Sequence, residues 1–284
     1  MPDSRLANRL PIDDLGRPIR VVLFGGAFLE PAALEFLARL HEHPEVEFLG
    51  GFCQSRGFGL RHVVADVVRR RRLLAPAVLG VAAAHALARA VCRPRATVAL
   101  WRRVRKPLSR LVCVTNIHAP VVLERVRALA PDIGVAYGAP ILKPHLFEIP
   151  AFGTLGIHHG KLPEYRGKKT TFWAMVNGEV TAGVAIQRIN AGLDTGEVVR
   201  AGEVTTAGKR YGRVDAEVQA LGVSLYLDAI LDVKRGRAVC RPQSGGDSVL
   251  YRQPHARDIL RLWWRQLTGA PRRRTGSSEL KALP

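Results

Sequence analysis

Residues 153–167 read GTLGIHHGKLPEYRG, and residues 192–196 read GLDTG. In the first piece, the short apolar run 154–157 ends at a histidine pair and passes into a loop rich in Gly and Pro. This pattern is typical of a buried strand that carries a side chain to the edge of a sheet. Because a His and an Asp at two strand ends can form a proton-handling pair, we expect His158 and Asp194 to lie about 3–5 Å apart, directly or through one water.

The two motifs, in this order and spacing, resemble the formyltransferase family that uses 10-formyltetrahydrofolate. Its members include methionyl-tRNA formyltransferase, glycinamide ribonucleotide formyltransferase and the sugar-amine N-formyltransferases. The similarity runs from about Arg20 to Pro254 and is broken by an unfamiliar insert. The resemblance implies a one-carbon transferase with 10-formyltetrahydrofolate as formyl donor and no metal. It also implies an α/β fold with a doubly wound, mainly parallel, Rossmann-like sheet.

By this resemblance the catalytic residues are His158 and Asp194. Formyl transfer needs an amine that attacks the formyl carbon, a donor for the oxyanion, and a base for the amine proton. His158 is the expected oxyanion donor. Asp194 is expected to orient and charge-balance His158, or to relay the proton through water. The alternative is structural, with His158 capping a strand and Asp194 serving a turn. His159 is expected to be a solvent or supporting group rather than a second catalyst.

The chain departs from the family pattern at Gly156, where the family has an Asn. Loss of one oxyanion donor costs roughly 10²–10³-fold in rate, about 3–4 kcal/mol. A water can replace the amide, or the reaction has been lost or altered. A nearby polar side chain is the third explanation, and the candidates are Asn116, Asn190 and Thr170. If His158 is now the main donor, Gly156→Asn should raise kcat, unless a positive φ or a bulky substrate demands glycine.

Two further groups of residues are assigned by the resemblance. The cofactor-binding candidates follow the strand 133–137 or precede Asp194, and they are Gly138, Ala139, Ile141, Gly192 and Leu193. A plain strand-to-loop corner would use the same Gly and Pro residues. The substrate-loop candidates are Gly160, Leu162, Pro163, Tyr165, Arg166 and Gly167. Arg166 is expected to meet an anionic group of the substrate or the folate glutamate, and Tyr165 to pack.

Composition describes an ordinary globular protein, with 47% hydrophobic and 24% charged residues among 284. Four scattered cysteines favour a reducing compartment over a disulfide framework or metal site, and the polar segment 1–20 has no apolar signal core, so the default is cytoplasmic. The net charge of +19 is mostly arginine. Because no recognition motif accompanies it, we do not expect direct nucleic-acid binding. Nothing in the sequence indicates an oligomeric state.

Alternating strand and helix patterns divide the chain into a loose arm (1–19), a catalytic domain (20–235), a hairpin–helix appendage (236–268) and a disordered basic tail (269–284). The hairpin is expected to join 239–243 to 249–252. The predicted strands of the catalytic domain are Arg20–Phe24, Val46–Cys53, Arg110–Thr115, Ile133–Tyr137, Thr154–Ile157, Val180–Ile189 and Glu197–Val204. Two predicted helices begin near Pro31 and after Lys168. Three others span Pro120–Ala130, Arg213–Lys234 and His255–Leu267.

The segment 56–110 is predicted to be a helical insertion. It holds a marginal apolar run with basic clusters on both sides. We expect it to pack on the domain or contact a partner, with the alternative that 69–106 touches an anionic membrane surface.

The acceptor is expected to be a small-molecule amine. Some fifty residues follow the long helix ending near Lys234, fewer than the second domain by which methionyl-tRNA formyltransferases bind tRNA. The alternatives are a formyltetrahydrofolate hydrolase, with water as acceptor, and a non-catalytic folate- or metabolite-binding protein built on an altered site.

Overall fold

The computed structural model describes residues 14–26, 30–54, 94–243 and 248–268. The strands are β1 (Ile19–Gly25), β2 (Val46–Gln54), β3 (Leu111–Val114), β4 (Ile133–Tyr137), β5 (Thr154–His158), β6 (Tyr165–Gly167), β7 (Thr181–Arg188), β8 (Val198–Thr205) and β9 (Val249–Tyr251). The helices are α1 (Pro31–Glu42), α2 (Pro94–Leu108), α3 (Pro120–Leu129), α4 (Pro144–Phe147), α5 (Thr170–Asn177), α6 (Tyr211–Lys234) and α7 (Ala256–Thr268).

Seven strands form one twisted sheet in the order β3-β2-β1-β4-β5-β7-β8. The strands from β3 to β5 are all parallel, and β7 and β8 continue the sheet antiparallel. The predicted doubly wound, mainly parallel sheet is therefore confirmed. The strands on either side of the insertion, β2 and β3, pair directly in this sheet.

Both faces of the sheet are buried, as the continuous apolar run of β1 requires. Val21 and Leu23 face a core that also contains Phe36 of α1 and Tyr226 of α6. The alternate residues of β1, Val22 and Phe24, face the opposite core, which is covered by α3 and α4. The two helical layers therefore meet the sheet on opposite sides, and its end after β4 and β5 opens between them.

Tyr226 fixes the point at which β4 and β5 separate. Its ring is fully buried. Its hydroxyl donates to the carbonyl of Leu155 (2.7 Å) and accepts from the N–H of Ala136 (2.9 Å). The ladder between the two strands ends at the pair Ala136 and Gly156. Beyond that point the two strands are no longer paired with each other.

The C-terminal segment differs from the sequence prediction. The hairpin expected between 239–243 and 249–252 is wrong, because β9 pairs in parallel with β6 of the motif loop. Arg241 instead forms an isolated bridge with Val198 of β8. A parallel pair between distant segments leaves no local turn signal, so periodicity could not reveal it. The short strand β6 was missed for the same reason.

The insertion is described only from residue 94 onward, where α2 packs on α1 through an ion pair of Arg103 with Glu35 and another with Glu42. The interpretation of 56–93 as helical, and most of the segment proposed for membrane contact, lie outside the described residues. So do the arm 1–13 and the tail 269–284. Within the described ranges, no helix combines the length and apolarity that a membrane crossing needs.

Candidate active site

The two sequence motifs meet at the end of β5. His158 is the last residue of this strand, and Asp194 lies in the loop that follows β7. The Nδ1 atom of His158 and the Oδ1 atom of Asp194 are 3.4 Å apart, and both side chains are largely buried. The expected spacing of this pair is confirmed. Ion pairing of this kind is worth most where water is excluded.

His158 has a hydrogen-bond acceptor at each ring nitrogen. Its Nε2 atom lies 2.6 Å from the backbone carbonyl of Tyr165, while Nδ1 faces the Asp194 carboxylate. Each ring nitrogen therefore faces an oxygen acceptor, a carboxylate on one side and a backbone carbonyl on the other. The Tyr165 carbonyl occupies the place at Nε2 that a substrate oxyanion would need.

Asp194 is held by the loop on which the first motif ends. The backbone N–H of Gly167 donates to Oδ2 (2.9 Å), and Nε2 of Gln187 donates to Oδ1 (3.3 Å). Burial alone would raise the pKa of Asp194, but these donors and the charge of His158 outweigh it and hold the pKa below its usual value. Asp194 has a left-handed backbone, with φ at 52°. Such a conformation is sparsely populated, and the surrounding contacts must hold it.

Gln243 makes some of the contacts that hold the Asp194 backbone, and sequence reasoning missed this residue. Its Nε2 group donates to the carbonyls of Asp194 (3.1 Å) and Gly196 (2.7 Å) and to Oε1 of Gln187 (3.2 Å). Its Oε1 accepts from the guanidinium of Arg166 (3.1 Å). Gln243 therefore ties the Asp194 loop to the first motif. No signal in the sequence marks it, because it lies far along the chain in a segment without periodicity.

The substrate-loop candidates form a packed turn between β5 and β6. Gly160 opens this turn, Leu162 is buried within it, and a cis peptide bond joins Leu162 to Pro163. The ring of Tyr165 stacks on Tyr251 with centroids 5.0 Å apart, and its hydroxyl donates to Glu179 (2.9 Å). Tyr165 thus packs, as expected.

Arg166 points toward Gln243 in this structure. Its Nε atom is buried with no hydrogen-bond partner among the described residues. The expected anionic partner of Arg166 stays a prediction.

The cofactor-binding candidates lie in two loops. Gly138, Ala139 and Ile141 follow β4, and Gly192 and Leu193 lead into Asp194. Ala139 packs against the same hydrophobic cluster as Ile189, which precedes the Asp194 loop. Ile141 and Leu193 are 75% and 49% exposed. Two exposed apolar side chains on these loops fit a flat apolar ring better than they fit water.

Gly156 lies two residues before His158 on the same side of β5. Its backbone is ordinary extended strand, and a Cβ atom built on it would lie 3.1 Å and 3.2 Å from two carbons of Ile189. Ile189 therefore occupies the space next to the missing side chain.

The proposed replacements for the missing amide have other hydrogen-bond partners. The side-chain oxygen of Asn190 accepts from Gly192 and Thr195, that of Asn116 accepts from His118, and the hydroxyl of Thr170 donates to the carbonyl of His159. Which group replaces the amide stays a prediction.

His159 lies on the opposite side of the sheet, against α6. A Cβ atom at Gly222 would lie 3.6 Å from its Nε2 atom, which is buried with no partner among the described residues. Burial lowers the pKa of His159 to about 4, with smaller effects of the His158 and Lys169 charges. One helical turn before Gly222, the Oε1 atom of Gln219 is also buried and unpartnered in the described part of the chain.

The acidic and basic side chains of the described residues form no group of three or more His, Cys, Asp or Glu that could hold a metal ion. The polar atoms nearest the site bond to one another and to backbone. The arrangement suits proton handling and charge stabilisation.

A family model described as formyl transferase matches residues 113–230. Methionyl-tRNA formyltransferase of Chloroflexus aggregans is 33% identical over 175 residues, which cover 57% of this chain and 56% of that protein. The chain thus spans about half the length of this curated relative.

Two solved structures share the fold. Glycinamide ribonucleotide transformylase 1 from Symbiobacterium toebii superimposes with a TM-score of 0.53 at 18% identity, covering 81% of this chain and 96% of that one. An N-formyltransferase from Helicobacter canadensis, in complex with folinic acid and dTDP-3-aminofucose, gives a TM-score of 0.50 at 16% identity and covers 82% and 70%.

Proposed function

We propose that this chain, which belongs to the formyltransferase family, transfers a formyl group from 10-formyltetrahydrofolate to the amino group of a small molecule. The observation that carries the proposal is the contact of His158 with Asp194, 3.4 Å between Nδ1 and Oδ1. Two motifs on separate strands converge there, and the loop between them contributes the Gly167 N–H to the same carboxylate. A turn residue and a strand cap would not need this convergence.

Formyl transfer forms a bond from the acceptor nitrogen to the formyl carbon and breaks the bond to the carrier nitrogen. One proton leaves the amine and one reaches the leaving nitrogen. When bound, the folate donor supplies the activated formyl group. Asp194, kept ionised by its lowered pKa, accepts the amine proton directly or through a water. His158 donates a hydrogen bond to the formyl oxygen and stabilises the negative charge that develops on it.

Turnover requires an exchange of partners at His158. The Nε2–H group now donates to the Tyr165 carbonyl. A substrate oxygen must take this carbonyl's place, or approach Nε2 beside it, before the charge is stabilised. A small shift of the turn between β5 and β6 achieves this, since the turn carries no other bond to His158. The hydrogen bond to Tyr165 thus holds the ring in position until a substrate oxygen replaces the carbonyl.

The residues present fit a folate donor. Ile141 and Leu193 expose apolar side chains on the two loops beside Asp194, and Gly138 has open space around its Cα atom. A pterin ring is planar, and exposed backbone at such a corner can read its hydrogen-bonding edge. Arg166, whose Nε atom is buried and unpartnered among the described residues, is available for an anionic group.

A small-molecule acceptor is supported by a structural neighbour. The Helicobacter canadensis enzyme of the same fold is complexed with an amino-sugar nucleotide. The Chloroflexus aggregans relative is named for methionyl-tRNA, so initiator methionyl-tRNA is the rival acceptor.

The test follows tetrahydrofolate release from 10-formyltetrahydrofolate by the full chain. The acceptors are an amino-sugar nucleotide, an amino acid amide, initiator methionyl-tRNA, and water alone. Acceleration by a small amine supports the proposal. Acceleration by the tRNA alone overturns the acceptor class, and equal release without any amine indicates a hydrolase. Mass spectrometry of the product must show the added formyl group.

A second candidate is a folate-binding protein without turnover. Two observations favour it: Gly156 lacks the amide donor, and His158 already gives its Nε2–H to Tyr165. Equilibrium dialysis with folinic acid separates the candidates. Folinic acid binding without tetrahydrofolate release, with every acceptor tried, would establish the second candidate.

A further inference from the structure

The outer face of α7 is an exposed apolar stripe. Its members follow the spacing of one helical face, and they are Ile259, Leu260, Trp263, Trp264 and Leu267. Trp263 and Trp264 are 65% and 68% exposed, and Leu267 is 79% exposed. Proteins in water rarely leave so many large apolar side chains side by side on one helix. We call this set the α7 stripe.

Other residues of α7 pack against the domain, so the stripe is not the side of the helix that belongs in the core. Leu262, on another side of the helix, is buried in the cluster that includes Phe172 of α5. The guanidinium of Arg265 lies against Gly178, at the end of α5. The helix therefore already has a core face, and the α7 stripe is a second apolar face that no described residue covers.

The charges beside the stripe favour an anionic partner. Arg257 and Arg261 are exposed along its edge. The one acidic residue of the helix, Asp258, accepts from the backbone N–H of His255 at the helix start. In a symmetric pair of α7 stripes, the arginine edges would meet arginine, and the one carboxylate of each helix is already used within its own chain, 3.8 Å from Arg257. A layer of anionic groups is complementary to this edge and a second copy is not.

We propose that the α7 stripe docks this protein on a membrane surface that contains anionic lipid. Trp263 and Trp264 lie at the level of the headgroups, and the aliphatic members of the stripe enter the acyl boundary. Arg257 and Arg261 face the lipid phosphates. An amphipathic helix with tryptophan and leucine on one side and arginine at its edge binds lipid surfaces in this way. Nucleic acid fits less well, because three of the five members are aliphatic and cannot stack on bases as aromatic rings do.

The docking helix is connected to the catalytic loop. The strand β9, which precedes α7, pairs with β6, and Lys168 donates its backbone N–H to Tyr251. In a docked protein, the strand β9 would link the motif loop to the helix that contacts the lipid.

The test is flotation of the full chain with phosphatidylcholine vesicles, with and without phosphatidylglycerol. We expect binding to the anionic vesicles, with a blue shift of tryptophan emission, and little binding to phosphatidylcholine alone. Trp263→Ser with Trp264→Ser should abolish binding. Arg257→Gln with Arg261→Gln should weaken it about tenfold or more, since each arginine near an anionic surface contributes about 1 kcal/mol. Formyl transfer in solution should be unchanged in both double variants.

The matched control is Trp101→Ser, which removes a 56% exposed tryptophan from α2. It should bind vesicles like the wild type. Failure of the wild type to float with anionic vesicles would overturn the proposal, and so would undiminished flotation of the double tryptophan variant. Loss of binding in Trp101→Ser alone would place the lipid contact on α2 instead. If sedimentation shows a dimer that the double tryptophan variant lacks, and vesicles do not bind, the α7 stripe is covered by a second copy.

Discussion

His158 and His159 are neighbours in the chain and have opposite surroundings. His158 faces the Asp194 carboxylate at one nitrogen and the Tyr165 carbonyl at the other. His159 turns its Nε2 into a buried position against α6, where it has no partner among the described residues. The reason is the alternation of side chains at a strand end, which sends consecutive residues to opposite faces of a sheet. One imidazole lies between two oxygen acceptors, and burial keeps the other neutral.

The difference shows that residue type alone does not assign a catalytic role. Both histidines end the same strand, and both lie beside the opening between β4 and β5. Only His158 has an ionised partner that would balance a positive charge. The following four substitutions test this contrast, in order of expected free-energy change.

Asp194→Asn should lower kcat about 10³-fold, equivalent to about 4 kcal/mol. The amide keeps the shape of the side chain but neither balances the charge on His158 nor accepts a proton. Single-turnover measurement of tetrahydrofolate release gives the rate, and dialysis with folinic acid verifies that the donor still binds. Asp228→Asn, an exposed change on α6, is the matched control and should keep full activity. A loss below tenfold in Asp194→Asn would remove Asp194 from the chemistry.

His159 should make stability fall in acid. Its pKa is about 4 in the folded chain and about 6.5 when unfolded, so the unfolded state binds more protons as pH drops below 6.5. Between pH 7.5 and pH 5 the loss should be about 2 kcal/mol. It levels off below pH 4, where both states are protonated. Urea unfolding at the two pH values measures it.

His159→Gln should remove this part of the pH dependence, because glutamine does not titrate. His255→Gln, which changes an exposed histidine, should leave it in place. Equal pH dependence in the wild type and His159→Gln would mean that the ring is solvated rather than buried.

Gln243→Leu should lower kcat about tenfold, equivalent to about 1.4 kcal/mol, with the acceptor KM within about twofold. Gln243 is a positioning residue: it holds the carbonyls of Asp194 and Gly196 and does not reach the reacting atoms. Gln266→Leu, on the exposed side of α7, is the control. A rise in KM with unchanged kcat would instead indicate that Gln243 contacts the acceptor.

Gly156→Asn with Ile189→Ala should raise kcat by about threefold, the smallest of the expected effects. The backbone at Gly156 accepts any residue, but the new side chain meets Ile189. The single change Gly156→Asn should therefore give no gain, and Ile189→Ala alone should give none either. A gain in the single variant would show that Ile189 yields easily. No gain in the double variant would show that an amide at this position does not serve the reaction.

Much of the fold follows from local patterns. The strands from β1 to β5, and the helices between them, carry continuous apolar runs or clear helical faces, with Gly and Pro at their ends. The contact of His158 with Asp194 was predictable because both residues sit in motifs that end strands. The prediction failed for a contact between distant segments. Strand β9 joins β6 through a parallel pair, which leaves no turn signal in the sequence between them.

The residues that support the catalytic pair could not be predicted from the sequence, for a related reason. Gln187 lies within an alternating strand, and its side chain faces Asp194 only because the following loop turns back over β5. Gln243 acts from a segment with no regular pattern. The occupied Nε2 of His158 depends on the position of one backbone carbonyl, that of Tyr165. Periodicity and composition carry no information about such contacts.

The parallel pair of β6 with β9 sets an order of folding. The motif loop from Gly160 to Gly167 is synthesised well before its strand partner Val249–Tyr251, which lies close to the end of the described chain. Closing a long loop of chain costs entropy that only the finished contacts repay, and contacts between distant residues form late. On the ribosome, the large sheet can assemble while β9 is still in the exit tunnel. The motif loop then gains its strand partner only after β9 has left the tunnel, so a product truncated before β9 should keep the sheet and leave the loop beside Asp194 without that support.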